Sequence, residues 1–159
     1  MLHLIPAPLH RAGLRLAHWG RKRWWRLARP RLDGVLLVAQ NEHGHVLLVR
    51  HTYGRGLWTL PGGGRRRSEA PEAAAAREFA EELGCALAGL AFAGMHESEL
   101  HGARLRRHVF AGVPAGEIRP DRREIAEAGF FPPDALPGEC SPMLATYLAM
   151  AAGRHSSSE

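Results

Sequence analysis

Three glutamates spaced for one side of a helix are the residues in this chain best suited to chemistry. They are Glu78, Glu81 and Glu82. In a helix, positions i, i+3 and i+4 are neighbours, so the three carboxylates are predicted to converge. Converging carboxylates repel one another unless a cation lies among them, and Mg²⁺ or Mn²⁺ prefers oxygen ligands. The alternative is an ordinary solvated acidic face, which many helices carry.

The neighbouring residues predict the helix that must position these glutamates. Pro71 suits a first helical position, and Gly84 suits the C-cap. An apolar stripe at i, i+3, i+4 and i+7 is predicted to face the core, with the glutamates on the opposite side. The residues of that stripe are Ala76, Phe79, Ala80 and Leu83.

A glycine-rich loop precedes the helix. Residues 61–64 read Pro-Gly-Gly-Gly, a backbone that can approach a ligand closely and offer it bare carbonyl and N–H groups. Glu69 lies between this loop and the helix. Arg77 flanks the acidic face, where it is predicted to pair with Glu69.

The order of these residues resembles the signature of the Nudix hydrolase family. That signature is a glycine, five residues, a glutamate, seven residues, and then Arg-Glu-bulky-x-Glu-Glu-x-Gly-bulky. The departures are Phe79 and Cys85 at bulky aliphatic positions and Ser68 where many members have glycine. The match covers 23 of the 159 residues. Its polar and glycine positions are all filled, by Gly63, Glu69, Arg77, Glu78, Glu81, Glu82 and Gly84.

The resemblance implies roles for these residues. Arg77 would orient a neighbouring glutamate, and Glu69 would brace the loop. Many members use a further acid in a loop before the last strand. Glu124 occupies a position that fits this role, and Glu127 is the alternative; a solvated surface pair is the other interpretation. The choice of general base stays open among Glu124, Glu127, Glu81 and Glu82. The implied ligands of Mg²⁺ or Mn²⁺ are the carbonyl of Gly63 and the carboxylates of Glu78, Glu81 and Glu82.

Residues near the loop that suit a phosphate or a base form the predicted substrate-binding set. Arginine forks match phosphate oxygens in pairs, and aromatic rings can stack on a base. For the two aromatic residues, ordinary packing is the alternative interpretation. The predicted set is Arg50, Tyr53, Trp58, Gly62, Gly63 and Arg65.

The activity implied is hydrolysis of a diphosphate linkage by attack of water on phosphorus, dependent on Mg²⁺. The substrate would be a nucleoside diphosphate derivative: a nucleoside triphosphate, as in MutT-like members, an ADP-sugar or a dinucleotide. A non-catalytic, nucleotide-sensing module with the same fold is the alternative, and a degraded acidic set would favour it.

Apolar runs predict the fold around this site. Predicted strands cover Leu32–Gln40, His45–His51, Trp58–Leu60, Ala86–Glu99, Arg104–Val113 and Ala128–Phe131. The first two are expected to form a hairpin through the turn at 41–44, and His101-Gly102 is expected to form another turn. A brief helix is predicted to begin with residues 132–134, and a C-terminal helix is predicted at Ser141–Ala151, with Ser141 as N-cap and Pro142 after it. The class is α/β, a Nudix-type α/β/α sandwich around a mixed β-sheet.

The N-terminal arm differs in charge from the rest of the chain. Residues 1–32 carry eight basic groups and no acid, leaving 13 basic against 16 acidic residues beyond them. The arm, residues 1–31, is predicted to be a basic amphipathic helix. Three interpretations stay open: packing on the body or on a second copy in a homodimer, binding a membrane surface, or binding nucleic acid. Residues 32–153 form the predicted Nudix domain, and 154–159 a disordered tail.

Composition limits the class of protein. A chain of 159 residues with 45% hydrophobic residues suits one domain with a real core. No run approaches the roughly 18 apolar residues that span a bilayer. Cys85 and Cys140 have no metal-binding or redox spacing, so a reduced, cytoplasmic setting is expected.

Overall fold

A computed structural model describes residues 31–100 and 103–153 of the chain. The predicted N-terminal helix, apart from its last residue, lies outside the described residues, as do the predicted tail 154–159 and the predicted turn at 101–102. The elements in chain order are β1 (Arg31–Ala39), β2 (Val46–His51), β3 (Trp58–Thr59), α1 (Pro71–Leu83), β4 (Leu87–Leu100), β5 (Ala103–Pro114), β6 (Ile125–Phe131) and α2 (Leu144–Ala152).

The strands form two three-stranded sheets. The first has the order β1-β5-β4, with β1 parallel to β5 and β4 antiparallel to it. The second has the order β3-β2-β6 and is antiparallel throughout. The first sheet is therefore mixed, as the sequence predicts.

The predicted hairpin of the first two strands is wrong. The turn itself forms, since the Gly44 N–H donates to the Asn41 carbonyl at 3.0 Å. Beyond an isolated bridge between Gln40 and Val46, however, β1 and β2 separate into different sheets. Both strands carry buried residues on both faces, so packing against two layers selects their partners. The turn fixes only the reversal of the chain.

Helices cover opposite faces of the strands, which confirms the α/β/α layering. Side chains alternate along β1 and β2, so each strand contributes to both layers. The core under α1 contains Val35, Leu37, Leu47, Val49, Phe79, Leu83, Phe110 and Ile125. The core under α2 contains Leu36, Val38, Val46, Leu48, Leu60, Val109, Leu144 and Tyr147.

Helix α1 begins and ends where the sequence predicts. Pro71 occupies the first helical position, where its missing N–H costs nothing. Gly84 adopts the left-handed conformation, with φ 68°, and its N–H donates to the Ala80 carbonyl at 3.0 Å.

The predicted buried face of α1 is partly wrong. Ala76 and Ala80 are exposed. The buried residues are instead Ala74, Ala75, Phe79, Glu82 and Leu83. The buried side is thus rotated around the helix, so that one of the three glutamates enters it. Contacts from outside the helix cause this, because the loop at Gly62 and the segment before β6 both bind Glu82.

The C-terminal elements also differ from the predictions. Residues 132–135 form a turn, with the Ala135 N–H on the Pro132 carbonyl at 3.0 Å, and not a brief helix. Helix α2 begins at Leu144, and no side chain caps it. The Ser141 N–H donates instead to the Trp58 carbonyl at 2.8 Å, so β3 holds the residues that were predicted to start the helix.

Neither α1 nor α2, the helices in the described part of the chain, combines the length and hydropathy needed to cross a membrane.

Cys85 and Cys140 are both free thiols, and partial burial raises the pKa of each.

Candidate active site

The glycine loop is fixed along the free edge of β1. The N–H of Val35 donates to the Gly63 carbonyl and that of Leu37 to the Pro61 carbonyl, each at 3.0 Å. Gly62 has φ 145°, and a Cβ there would collide with the Val35 carbonyl oxygen. Only glycine permits this approach, so the loop position is set by backbone contacts.

Two of the three motif glutamates reach this loop. The Glu82 carboxylate accepts the Gly62 N–H at 3.1 Å. The Glu78 carboxylate lies against Gly63, in the space that a Cβ would occupy. The helix and the loop therefore bring two carboxylates and two bare peptide groups together.

Glu82 is the buried acid of the site. Its exposed fraction is 5%, and its pKa is raised to about 8, mainly because burial disfavours the ionised form. The Gly62 N–H opposes that shift, whereas Glu78, Glu124 and Asp121 add to it through their negative charges. Glu82 is thus a carboxyl group for which a nearby cation would favour ionisation.

Arg77 holds the acidic side of α1 together. Its guanidinium donates to Glu69 at 2.7 and 2.9 Å, to Glu78 at 2.8 Å and to Glu81 at 3.1 Å. It also donates to the Gly64 carbonyl at 3.0 Å. The hydrogen bond with Glu69 is the main reason that the pKa of Arg77 is raised. The predicted pairing of Arg77 with Glu69 is present, and it links the helix to the loop.

Glu69 is stabilised as a carboxylate. Its pKa is lowered to about 2, first by the hydrogen bond from Arg77 and then by the backbone N–H of Arg66, which donates at 3.0 Å. A carboxylate bound to both helix and loop can brace the loop in the way that the family resemblance implies.

Glu81 stands apart from the other two motif glutamates. Its side chain is 56% exposed, and it contacts Arg77 at 3.1 Å and Arg66 at 3.9 Å. Within residues 31–100 and 103–153, no three His, Cys, Asp or Glu side chains converge closely enough to hold a metal ion. The predicted convergence of all three carboxylates is therefore not seen, and the metal-ligand assignments stay predictions.

The segment before β6 brings a further acid to the site. The Asp121 N–H donates to the Glu82 carbonyl at 3.0 Å, and Glu124 lies close enough to raise the pKa of Glu82. Glu127, the predicted alternative, lies within β6 and pairs with Arg50 at 3.3 Å. Of the two candidates, Glu124 is the one whose charge adds to the raised pKa of Glu82.

The predicted substrate-binding residues fall into two groups. Gly62, Gly63 and Arg65 belong to the glycine loop. There Arg65 donates to the Asp33 carboxylate at 2.6 Å and to the Glu69 carbonyl at 2.7 Å, contacts that brace the loop.

The second group comprises Arg50, Tyr53 and Trp58. Arg50 pairs with Glu127 and Glu139, each at 3.3 Å, and its guanidinium lies 5.2 Å from the Trp58 ring centroid. The Trp58 ring also packs edge-on against Phe131. Tyr53 follows β2, with its ring 5.1 Å from that of His51. These three side chains engage their own sheet and the loop after it, so a role in binding substrate stays a prediction.

Two residues of the site were not predicted. Gly34 faces the loop so closely that a Cβ there would lie 2.9 Å from the Gly63 carbonyl oxygen. A lone glycine inside a strand pattern is a signal of such an approach. Asp121 accepts backbone hydrogen bonds from the residues that follow it. Its position at the start of a polar loop is typical of an Asx turn.

Comparison with known proteins places this arrangement in a family. Residues 30–149 match the family model described as NUDIX domain. The NAD-capped RNA hydrolase NudC of Vibrio vulnificus strain CMCP6 is 31% identical over 109 residues, 68% of this chain and 41% of that protein. The ADP-ribose pyrophosphatase of Mycobacterium tuberculosis strain ATCC 25618 / H37Rv is 46% identical over 54 residues, 31% of this chain and 26% of that protein.

A solved structure supports the same conclusion. The MutT NUDIX hydrolase from Burkholderia pseudomallei superposes with a TM-score of 0.70 at 25% identity, covering 76% of this chain and 97% of that one. The chain spans less than half the length of the NudC relative. Since the family model covers most of the chain, and the signature residues surround one loop, this chain belongs to the Nudix hydrolase family.

Proposed function

We propose that this chain hydrolyses a diphosphate linkage in a nucleoside diphosphate derivative, with Mg²⁺ or Mn²⁺ as cofactor. The observation that carries the proposal is the position of two carboxylates, Glu78 and Glu82, directly against the backbone of the Gly62-Gly63 loop. The names of two relatives, NAD-capped RNA hydrolase and ADP-ribose pyrophosphatase, denote substrates with a diphosphate joined to a nucleoside.

The donor chemistry of the site fits a hard divalent cation. Every candidate ligand is an oxygen: the Gly63 carbonyl and the carboxylates of Glu78, Glu81 and Glu82. The buried Glu82 carboxyl lies among further negative charges, so a cation would offset the cost of ionising it. When bound, such a cation neutralises the diphosphate and favours deprotonation of the attacking water.

Residues of the chain itself would orient the carboxylates and accept a proton from water. Arg77 holds Glu78 in place through a 2.8 Å hydrogen bond, and the Gly62 N–H orients Glu82. Glu124 is our choice for the general base, because it lies outside α1, in the segment whose Asp121 N–H donates to the Glu82 carbonyl. A base outside the motif can take a proton from water while the motif glutamates remain available to bind the cation.

A hydrolysis panel tests this function. ADP-ribose, NAD and nucleoside triphosphates are incubated with the chain in the presence of Mg²⁺ or of a chelator. We expect release of a nucleoside monophosphate only with Mg²⁺, and a loss of at least about 100-fold in Glu82→Gln. The matched control is Glu72→Gln, an exposed acid in the first turn of the same helix, which should keep full activity.

Two outcomes would overturn the proposal. One is full activity in folded Glu82→Gln. The other is binding of a nucleotide by the wild type without turnover of any substrate, which would favour the nucleotide-sensing alternative.

A further inference from the structure

The turn that carries Glu124 is held by the side chain of Asp121 and, directly after β2, by Thr52. The Thr52 hydroxyl donates to the Arg123 carbonyl at 2.7 Å, and the Thr52 N–H donates to the Glu124 carbonyl at 2.9 Å. The Asp121 Oδ1 accepts the backbone N–H groups of Arg123 and Glu124 at 3.0 Å and that of Ile125 at 2.9 Å. The Asp121 Oδ2 accepts the Glu124 N–H as well, at 3.3 Å. Three consecutive peptide groups therefore converge on one carboxylate, which fixes the backbone on both sides of Glu124.

The same residue also binds the helix that bears the motif. The Asp121 N–H donates to the Glu82 carbonyl at 3.0 Å, and the Arg119 N–H donates to the Leu83 carbonyl at 2.8 Å. These bonds satisfy carbonyl groups at the C-terminal end of α1, which lack partners within the helix. Asp121 thus joins the backbone of Glu82 to the backbone of Glu124 within one short segment.

The backbone of this turn is held in an unfavourable conformation. Arg122 has φ 56°, and it is the one residue other than glycine with positive φ in residues 31–100 and 103–153. A left-handed conformation is unfavourable for a residue that carries a side chain. Such strain persists where surrounding contacts determine the conformation, and the Asp121 hydrogen bonds on both sides provide those contacts.

We infer that Asp121 is a positioning residue that fixes Glu124 within the segment that is hydrogen-bonded to the backbone of Glu82 at the end of α1. The inference rests on the proposed function, in which Glu124 is the base. Asp121 would act on turnover through Glu124, and its loss would lower turnover because Glu124 would no longer be fixed relative to Glu82.

A pair of variants separates positioning from charge. Asp121→Ala removes every acceptor, so we expect kcat to fall about 10–100-fold, as with other residues that orient a reacting group. Asp121→Asn keeps a carbonyl oxygen able to accept the three N–H groups, and it should restore most of that loss. Should Asp121→Ala fail to fold, Asp121→Ser, with its single short acceptor, takes its place.

A double-mutant cycle with Glu124→Gln tests whether Asp121 acts through Glu124. If it does, adding Asp121→Ala to Glu124→Gln causes no further loss of kcat. Equal losses in both backgrounds would overturn the inference, because they would indicate a general structural effect. Activity of Asp121→Ala within about twofold of the wild type would also overturn it.

Amide hydrogen exchange gives a second readout, independent of turnover. We expect faster exchange at residues 123–125 in Asp121→Ala than in the wild type, and near-wild-type exchange in Asp121→Asn. Unchanged exchange in Asp121→Ala would overturn the inference. If no variant and not even the wild type hydrolyses a substrate, the proposed function fails, and the exchange result still decides whether Asp121 positions the turn.

Discussion

At the scale of single residues, the positive charge of Arg77 offsets the negative charges of the glutamates around it. Its guanidinium contacts three carboxylates, those of Glu69, Glu78 and Glu81, and its side chain is largely shielded from water. Without the Arg77 guanidinium, these carboxylates would repel one another beside the glycine loop. Arg77 therefore makes the acidic side of α1 compatible with a folded chain, and Glu69 keeps Arg77 in place.

The pairing of Glu69 with Arg77 predicts a specific response to acid. The pKa of Glu69 is lowered from 4.5 to about 2, so its stabilising effect is fully present above about pH 4.5 and lost as the pH falls through 2. Glu69→Gln should be less stable than the wild type near neutral pH. The difference in free energy of unfolding should shrink between pH 4.5 and 2, as urea titrations at several pH values would show. A difference that stays constant over this range would contradict the pairing.

The two glycines of the loop should respond differently to the same substitution. In Gly63→Ala the new Cβ meets only the end of the Glu78 side chain, so the fold should tolerate it while activity falls through displacement of Glu78. In Gly62→Ala it meets the Val35 backbone, and the free energy of unfolding should drop by about 3 kcal/mol. Chemical denaturation and the hydrolysis assay measure both effects. Equal losses of stability in the two variants would contradict the loop geometry.

At the scale of elements, the limits of α1 could be predicted because their signals are local. Proline at the first position and glycine at the cap act through their own backbone, and both are present as expected at Pro71 and Gly84. The burial of Glu82 could not be predicted in this way. It depends on Gly62 and Asp121, which are distant in sequence, and a helical pattern gives no information about them.

The pairing of the strands could not be predicted from local sequence signals either. The turn at 41–44 was predicted from its residues, but the pairing of β1 with β5 joins segments about 70 residues apart, as in Val35 opposite His108. Glu124 was predicted from the family resemblance, whereas the Asx turn formed by Asp121 was not predicted. Local chemistry was thus predictable, and long-range packing was not.

The C-cap of α1 gives a prediction at this scale. Gly84→Ala forces a left-handed alanine and brings its Cβ 3.1 Å from the Arg119 carbonyl oxygen, so we expect a loss of about 1–2 kcal/mol in the free energy of unfolding. Gly54→Ala is the matched control, since Gly54 has φ 82° but no atom near its Cβ position. A smaller loss in Gly84→Ala than in Gly54→Ala would contradict the described docking of the 119–121 segment on α1.

At the scale of the whole molecule, charge is divided between the arm and the domain. The eight basic groups of residues 1–32 account for the overall formal charge of +5, since acids outnumber bases in the rest of the chain. In the domain, a helix packs on each face of the strands. Because the excess of positive charge lies in the arm, binding of a membrane surface or nucleic acid would depend on the basic residues of the arm and not on the charge of the domain.

Removal of the arm tests that division. A chain beginning at residue 32 should lose retention on a cation exchanger at pH 7, because its formal charge becomes negative. Co-sedimentation with anionic vesicles and with DNA, compared between this chain and the full one, would identify the surface that the arm binds. Equal, salt-insensitive behaviour of both chains would leave only packing on the body or on a second copy.

Glu82 and its neighbours at the glycine loop are proposed to hold a divalent cation. Titration of Mn²⁺, followed by the loss of its free electron paramagnetic resonance signal, measures this directly in the wild type, Glu82→Gln and the Glu72→Gln control. We predict binding by the wild type and the control, and at least about tenfold weaker binding by Glu82→Gln. Equal Mn²⁺ affinity in folded Glu82→Gln and the wild type, or no binding by the wild type, would contradict a cation site at the glycine loop.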